Sequence, residues 1–234
     1  METVHPHLKR IELGNVNAFL WTGEGGPTLI DTGYPWTFAQ LIDQLNAAGI
    51  QPADLQRIII THADLDHIGG LKGLTELSDA AIACHTVEAI YVTGGQLKPF
   101  RGVKGKLMTI PVRVAERVYK PRVAQVQELL LEKETTPEGF TIWHTPGHSP
   151  GHIVLHHKEA GLLILGDALV YINGKLDLPP RVFTPNMEQA IESLAKLKKL
   201  QFETACFGHG PCITESADAT IHAFIDKLAG GERG

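Results

Sequence analysis

The chain lacks several features that would place it in a special class of protein. It has only three cysteines, Cys84, Cys206 and Cys212, in 234 residues. This odd and sparse set argues against a disulfide framework and is typical of a reducing compartment, so we interpret all three as core or loop residues. No stretch approaches the roughly 20 apolar residues that are needed to cross a bilayer. We therefore expect no membrane partner.

An excess of charge of one sign is also missing. The formal net charge of −5 is small for this length and does not indicate nucleic acid or an anionic membrane as a partner. Between Met1 and Leu20, histidines and charged residues precede any apolar run, so the continuous hydrophobic segment of a secretion signal is absent. We therefore expect a cytoplasmic protein that acts on a small-molecule substrate.

No linker rich in Gly, Ser or Pro divides the chain, and its 43% of hydrophobic residues are enough for a substantial core. One domain covering 1–234 is predicted. Short apolar and β-branched runs predict strands at 16–21, 28–31, 57–60, 81–84, 140–143, 153–156, 162–165 and 204–207. Helical spacing predicts helices at 38–47, 68–77, 88–92, 187–200 and 216–228. Strands followed by helices, twice over, predict a layered α/β protein.

The stretch from Gly94 to about Lys120 shows no sustained period of 2 or 3.6. We interpret the range around 94–135 as a loop or cap insertion. Its basic residues, which lie within 98–120, are Lys98, Arg101, Lys104, Lys106, Arg113, Arg117 and Lys120. A contact with an anionic substrate and a solvated charged surface explain this basic stretch equally well. The apolar segments of the insertion are compatible with a homodimer.

Histidine is the residue type in excess. The chain has 12 histidines, and the densest cluster follows the predicted strand at 57–60. Four candidate metal ligands stand there within six residues, namely His62, Asp64, Asp66 and His67. On an extended backbone the first three would share a face, and a turn at His67 would bring in the fourth. Burying these charges without a cation would cost several kcal/mol each, so a divalent metal ion is the simplest counter-ion. The alternative is a solvated polar turn.

Three more candidates stand where later predicted strands end. They are His148, Asp167 and His209, and each has a glycine next to it in the sequence. A lone histidine in a turn is usually a polar side chain with ordinary hydrogen-bond partners. The recurrence of one glycine-framed setting favours a shared metal site instead.

The order of these segments resembles that of the metallo-β-lactamase superfamily, whose first motif has the pattern His-x-His-x-Asp-His. The match extends to Gly14–Leu20 and Leu29–Gly33, so it spans nearly the whole chain. The resemblance implies a four-layered αββα sandwich with two divalent metal ions at the rim where the two sheets meet. The ligands that it implies are His62, Asp64 and His148 for one ion, Asp66, His67 and His209 for the other, and Asp167 as the bridge.

The resemblance also implies an activity. A metal-bridging hydroxide would attack a small ester, lactone or thioester, because metal coordination lowers the pKa of water from about 15.7 to near 7. Asp66 would have a catalytic role as well, by orienting the hydroxide and moving its proton. Asp31 would support the ligands through hydrogen bonds. His85 and His152 fall outside the ligand pattern and are interpreted as structural or supporting residues.

Asp64 stands where the family usually has its second histidine. A further oxygen donor favours harder metals relative to zinc, so we expect zinc first, with iron or manganese as alternatives. One alternative is that Asp64 is too short to reach, which would leave one metal site weak or empty. A carboxylate here also resembles the diiron relatives, which keeps open an iron-dependent oxidoreductase acting on oxygen or sulfur compounds. A further alternative is a ligand-binding member without catalysis.

Overall fold

The computed structural model describes residues 1–94, 96, 110–123 and 125–230. Within these residues the strands are β1 (Glu2–His5), β2 (Leu8–Leu13), β3 (Val16–Trp21), β4 (Thr28–Ile30), β5 (Arg57–Ile60), β6 (Ala81–His85), β7 (Glu128–Leu130), β8 (Thr141–His144), β9 (Ile153–His157), β10 (Leu162–Ile164), β11 (Val170–Ile172), β12 (Lys175–Asp177) and β13 (Thr204–Cys206). The helices are α1 (Phe38–Ala47), α2 (Leu65–Ile68), α3 (Leu71–Thr75), α4 (Ala89–Val92), α5 (Ile110–Tyr119), α6 (Met187–Leu194) and α7 (Ala217–Ala229). Short 3₁₀ turns cover Pro35–Thr37, Pro52–Asp54 and Ala195–Lys199.

The strands form two main sheets and one separate hairpin. The larger sheet has the order β1-β2-β3-β4-β5-β6-β7, and the smaller has the order β13-β10-β9-β8. In the larger sheet, β1 to β4 pair antiparallel and β4 to β7 pair parallel. In the smaller sheet only β10 and β13 pair parallel. Strands β11 and β12 form the hairpin.

Side-chain alternation along the strands builds three apolar layers. Ile58 and Ile60 of β5 pack with residues of α1 and α3, whereas Ile59 packs between the two sheets. In the smaller sheet, Ile164 of β10 packs between the sheets, while Leu163 packs with residues of α6 and α7. Because both faces of these strands are buried, their sequences are unbroken apolar runs. The predicted four-layered αββα sandwich is thus confirmed.

Two predicted helices differ from the structure by more than one residue in their bounds. The helix predicted at 68–77 is divided into α2 and α3, and α2 already begins at Leu65. The helix predicted at 187–200 ends at Leu194 and continues as a 3₁₀ turn to Lys199. Among the described residues, no helix combines the length and the apolar character that crossing a bilayer requires.

The expectation that 94–120 has no helical period was wrong for its last third, where α5 forms. Ile110, Val114 and Val118 of α5 are spaced by four residues and remain exposed, so this apolar stripe does not face a core. Strand β7 also lies within 94–135 and forms an edge of the larger sheet. Lys98, Arg101, Lys104 and Lys106 lie outside the described residues.

Candidate metal centre

The predicted ligands all lie near one end of the two sheets, in the segments that follow strands. They are His62, Asp64, Asp66 and His67 after β5, His148 between β8 and β9, Asp167 after β10, and His209 after β13. Because the carboxyl ends of β10 and β13 point the same way, their loops meet at this rim. The structure therefore brings together all seven residues that the sequence singled out.

The backbone of the first motif differs from the expected extended run. Asp64 is extended, with φ −76° and ψ 152°, but helix α2 begins at the next residue. Asp66 and His67 therefore lie on the first turn of a helix, and the predicted alternation was wrong beyond Asp64. The carbonyl oxygen of Asp64 accepts hydrogen bonds from the backbone N–H groups of His67 and Ile68, at 2.9 and 3.0 Å. The Asp64 side chain makes no capping hydrogen bond to the helix.

His62, Asp64 and His148 form the first group of side chains that could hold an ion. Their candidate ligand atoms all lie within 4.8 Å of one another. The Oδ2 atom of Asp64 lies 3.1 Å from Nε2 of His148 and 3.8 Å from Nε2 of His62. The side chain of Asp64 is shorter than that of the histidine usual at this position, yet its carboxylate reaches the same point as His62 and His148. This favours Asp64 as a ligand.

Asp66, His67 and His209 form the second group, again with ligand atoms within 4.8 Å. Asp167 lies between the two groups. Its Oδ1 atom is 3.4 Å from Nε2 of His67, and its Oδ2 atom is 3.4 Å from Nε2 of His209 and 3.6 Å from Nε2 of His148. This is the position that a bridging ligand would take.

Three buried polar atoms of this cluster have no hydrogen-bond partner within the described part of the chain. They are Nε2 of His62, Nε2 of His67 and Oδ1 of Asp167, and the three residues form a further group within 4.8 Å. Each unpaired buried group would cost about 1–3 kcal/mol. Imidazole nitrogens and carboxylate oxygens are the donors that divalent metals take in proteins. The donor set therefore fits divalent metal ions, which would satisfy all three atoms.

The ionisation of the cluster leads to the same conclusion. Burial, with the charge of His67, lowers the pKa of His62 well below its ordinary value. Burial also opposes charge on His67 and His209, but nearby carboxylates outweigh it. Asp31 and Asp167 raise the pKa of His67 well above its ordinary value, and Asp167 raises that of His209 to about 10. Without a metal, protons on these two histidines would balance the carboxylates, and a bound cation would replace them.

The second ring nitrogen of each histidine is anchored by the protein, which fixes the direction of Nε2. The pairs are His62 with Oγ1 of Thr61 (3.0 Å), His67 with Oδ2 of Asp31 (2.8 Å), His148 with Oγ1 of Thr184 (3.2 Å) and His209 with the carbonyl oxygen of Asn15 (2.6 Å). Asp31 has a φ of 59°, a left-handed conformation that is uncommon for a residue other than glycine. Its carboxylate also accepts hydrogen bonds from the N–H and O–H groups of Thr61. Asp31 is thus placed for the supporting role that the resemblance implied.

His152 supports the site through the backbone. The backbone N–H of Asp167 donates to Nε2 of His152 at 3.0 Å, and Nδ1 of His152 lies 2.8 Å from Oγ1 of Thr145. Both ring nitrogens are therefore engaged by the protein. This agrees with the interpretation of His152 as a supporting residue.

Glu88 is a supporting residue that the sequence did not reveal. It is fully buried, and its Oε1 accepts a hydrogen bond from the N–H of Ala63 at 2.8 Å. Its Oε2 accepts from the N–H of Gly151 at 2.7 Å and from Oγ of Ser149 at 3.0 Å. One carboxylate thus joins the loop that carries His62 to the loop that carries His148. Nothing in the sequence around Glu88 signals this role, since its partners are distant along the chain.

A cavity of about 870 Å³ opens onto the ligand cluster. Its walls include the apolar side chains of Trp36, Leu65, Val170, Ile172 and Phe183. The β11–β12 hairpin and helix α5 both contribute to the walls. A substrate with an apolar portion would therefore find a matching wall next to the metal ligands.

Two tyrosines near the site differ in their placement. Tyr34, which the sequence did not single out, lines the cavity and stacks on Trp36 with ring centroids 4.5 Å apart. Burial, together with the charge of Asp66, raises the pKa of Tyr34 to about 12. Tyr171 stacks on Phe207 instead and is not among the residues of the cavity wall.

Comparison with known proteins is consistent with this geometry. The family model described as "Metallo-beta-lactamase superfamily" matches residues 11–209. The chain is similar to "Probable metallo-hydrolase YflN" of Bacillus subtilis (strain 168), with 30% identity over 201 residues that cover 78% of this chain and 74% of the relative. It is also similar to "Acyl-coenzyme A thioesterase MBLAC2" of Gallus gallus, with 31% identity over 202 residues that cover 81% of this chain and 69% of the relative.

A solved structure shows a similar fold. It is a metallo-β-lactamase of Cronobacter sakazakii (Enterobacter sakazakii) with an HARLDQ motif, and it aligns with a TM-score of 0.70. The alignment covers 98% of this chain and 92% of that chain, with 20% identity. At this identity the likeness concerns the fold alone.

Proposed function

The chain belongs to the metallo-β-lactamase superfamily and is a metal-dependent hydrolase, and from this premise we propose that it hydrolyses small carboxylic esters or thioesters that carry an apolar acyl group. The observation that carries the proposal is the cavity of about 870 Å³, whose walls combine apolar side chains with the ligand cluster. A relative that is named an acyl-coenzyme A thioesterase supports the choice of substrate.

The seven ligand residues would hold the metal ions in two groups, as the distances above suggest. When bound, the ions would polarise the substrate carbonyl and lower the pKa of water. Asp66 lines the cavity and is only partly buried, so its carboxylate is accessible to substrate and to water. We assign to Asp66 the transfer of a proton from the attacking water to the oxygen or sulfur of the leaving group. The products are a carboxylic acid and an alcohol or thiol.

We assign to Tyr34 a role in substrate binding, as a hydrogen-bond donor to the substrate. Its raised pKa of about 12 keeps the phenol protonated at neutral pH, so it can donate a hydrogen bond. It lines the same cavity as Asp66 and Asp167, which supports a contact between this donor and the carbonyl oxygen of a bound ester. Replacement by Phe removes the donor but keeps the ring, so Tyr34→Phe is expected to lower kcat/KM while the metal content stays unchanged.

The first experiment is a substrate panel. Purified protein is assayed with p-nitrophenyl esters and acyl thioesters of increasing acyl length, and with a lactone and a β-lactam for comparison. Because each buried methylene contributes roughly 0.8 kcal/mol, kcat/KM should rise with acyl length until the cavity is filled. A chelator should abolish turnover and added metal should restore it. No chelator-sensitive turnover of any ester or thioester would reject the proposal.

A pair of variants tests the cavity itself. Phe183→Ala removes part of the apolar wall and should reduce the gain in kcat/KM with acyl length. Leu131→Ala is the matched control, because Leu131 is exposed and is not among the residues of the cavity wall. An equal loss in both variants would show that acyl binding does not use this cavity.

Zinc is the metal that we propose first, with iron or manganese as alternatives because Asp64 adds an oxygen donor. Elemental analysis of protein purified without added metal distinguishes these ions. The iron-dependent oxidoreductase stays a prediction of the sequence. Dominant iron together with a visible absorption band and no esterase activity would favour it over hydrolysis.

A further inference from the structure

Two cysteines face each other at the base of the loop that carries His209. Cys206 is the last residue of β13, and Cys212 follows the loop. The Sγ atoms of the two residues lie 2.9 Å apart. Both thiols are unlinked, and the third cysteine, Cys84, is buried in the separate layer between the larger sheet and its helices.

The backbone places this pair in a suitable register for a covalent link. Ala205 and Ile213 exchange both backbone hydrogen bonds, at 2.8 and 2.9 Å, in an antiparallel bridge. Cys206 and Cys212 are the next pair along this bridge, a position where Cα atoms are about 4.5 Å apart in antiparallel strands. Disulfides span Cα distances of about 4.4–6.8 Å. The link therefore needs no rearrangement of the backbone.

The two thiols differ in access. Cys206 is fully buried between the sheets, and burial raises the pKa of its thiol well above its ordinary value. Cys212 is half-buried, so a small oxidant can reach it. The accessible thiol would react first, and the buried one would complete the link.

We propose that Cys206 and Cys212 are a redox-active dithiol, which a peroxide oxidises to an intrachain disulfide that closes the His209 loop. The thiolate of Cys212 attacks one peroxide oxygen, which becomes the oxygen of a sulfenic acid while the other leaves as water. The sulfur of Cys206 then attacks the sulfur of Cys212, the S–S bond forms, and a second water leaves. Two electrons and two protons pass from the two thiols to hydrogen peroxide, so the step balances.

The link would act on the metal centre through its loop. Between the two cysteines, the backbone of Gly208 bonds to Asn17 and to Gly166, each at 2.8 Å. His209 follows directly, and its Nε2 faces Asp66 and Asp167. A bond across the base of the loop restricts its opening. The oxidised protein is therefore expected to lose metal to a chelator severalfold more slowly than the reduced protein.

The experiment starts from reduced, metal-loaded protein and adds a small excess of hydrogen peroxide. The number of free thiols found by titration should fall from three to one. The mass of the intact protein should fall by that of two hydrogen atoms. Peptide mapping should recover the segments of Cys206 and Cys212 as one linked fragment, and a reductant should restore all thiols. These readouts do not depend on activity, so they remain decisive if the proposed substrates are wrong.

Cys212→Ser is the principal variant, because its half-buried position tolerates the change, and it should not form the link. Cys206→Ala is the second variant, and Cys84→Ser is the matched control that should still form it. Unchanged thiols, or oxidation that stops at Cys212 with Cys206 still free, would overturn the proposal. Equal rates of metal loss from oxidised and reduced protein would overturn the coupling to His209.

Discussion

Asp64 changes the charge of the metal centre more than its shape. Its carboxylate reaches the same point as His62 and His148, within 4.8 Å of both. It also adds a third negative charge to those of Asp66 and Asp167. The centre should therefore hold cations more strongly by charge and discriminate less in favour of zinc.

The first prediction concerns Asp64→His, which replaces an oxygen donor with an imidazole. We expect the ratio of zinc affinity to manganese affinity to rise by about tenfold or more, which corresponds to about 1.4 kcal/mol. Competitive titration against a chromophoric chelator measures both affinities. Asp64→Asn is the control, because it removes the charge but keeps an oxygen donor. A ratio that stays unchanged in Asp64→His would show that residue 64 does not bind the ion.

The second prediction compares two fully buried glutamates, Glu88 and Glu138. Glu88→Ala leaves three donors unpaired, at about 1–3 kcal/mol each, so the free energy of unfolding should fall by about 3 kcal/mol or more. Metal affinity should fall by about 10- to 100-fold, because two ligand loops lose their common support. Denaturant unfolding of the metal-free protein and metal titration measure the two effects.

Glu138 supplies the matched control. It accepts a hydrogen bond from Thr28 and pairs with Arg57, the first residues of β4 and β5. These contacts lie at the opposite end of the strands from the ligands. Glu138→Ala should therefore lower stability but leave metal affinity unchanged. A loss of metal affinity in both variants would assign the effect of Glu88 to general destabilisation.

At the scale of elements, helix α2 is held against the turn that precedes α1. The N–H of Gly69, directly after α2, donates to the carbonyl oxygen of Gly33 at 2.8 Å. A Cβ atom on Gly69 would lie 2.3 Å from the backbone N of Pro35 and 2.4 Å from the backbone C of Tyr34. The absence of a side chain thus allows the helix with Asp66 and His67 to approach the turn.

The third prediction is that Gly69→Ala destabilises the protein by about 1–3 kcal/mol, because the backbone must move to admit the methyl group. Metal affinity should fall as well, since α2 carries two ligands. Gly230→Ala is the control: its φ is also negative, at −74°, and its added Cβ would meet nothing closer than 3.6 Å. Similar stabilities for both variants in thermal unfolding would contradict this explanation.

Strands β6 and β8 contribute a stacked pair of histidines, His85 and His144, with ring centroids 3.9 Å apart. Burial, and then the charge of His144, lowers the pKa of His85 to about 4. The unfolded chain has a histidine pKa near 6.5, so between about pH 6.5 and 4 it binds a proton that the folded protein does not. This contribution to stability is complete above pH 6.5 and is lost as the pH falls toward 4.

The fourth prediction is therefore that His85→Gln reduces the loss of stability between pH 6.5 and 4. The slope of unfolding free energy against pH is proportional to the number of protons taken up on unfolding. In this window the slope should decrease by an amount that corresponds to at most one proton. Urea unfolding of metal-free protein at several pH values measures it and avoids the effect of metal release. An unchanged slope would show that His85 already takes up its proton in the folded state.

Local patterns in the sequence predicted some elements and not others, for physical reasons. The β-branched run of β5 and the amphipathic pattern of α1 are local signals, and both elements form at the predicted bounds. Helix α5 was missed although Ile110 and Val114 are spaced by four residues, because Pro111 and the glycine- and lysine-rich run before it indicate a loop. Strands β11 and β12 were missed because they are only partly buried, so their short segments lack the fully apolar character of β10, which is also three residues long.

The same limit applies to the site. The ligands could be identified because histidines and aspartates cluster beside glycines where strands end. Glu88 and Tyr34 could not be identified, because their partners lie on loops that only the fold brings together. The helical geometry of Asp66 was also missed, since a cap at Asp64 and an extended strand look alike in such a short segment.

In the whole molecule, the candidate metal centre joins the two sheets. His62 and His67 follow a strand of the larger sheet, while His148, Asp167 and His209 come from loops of the smaller sheet. Each of the two ligand groups combines side chains that follow strands of the larger sheet with one that follows a strand of the smaller sheet. Bound metal would therefore resist separation of the two halves of the sandwich.

The fifth prediction is that removal of metal lowers the Tm, and that metal at 100 times its Kd adds about 2.7 kcal/mol to the free energy of unfolding. Binding should also release protons, because the pKa of His209 is raised to about 10 and that of His67 lies well above its ordinary value. The apparent metal affinity should therefore rise with pH across the neutral range. Calorimetric titration in buffers of different ionisation enthalpy counts these protons. Binding without proton release would contradict the assigned ionisation.

The β11–β12 hairpin lies outside both sheets, yet it supplies Val170, Ile172 and Lys175 to the cavity wall. None of these three residues belongs to the ligand groups. The part of the cavity wall that this hairpin supplies is thus separate in sequence from the ligand residues. A library confined to 170–178 would vary this part of the cavity wall by directed evolution while every ligand residue stays intact, so its variants are expected to keep the metal centre.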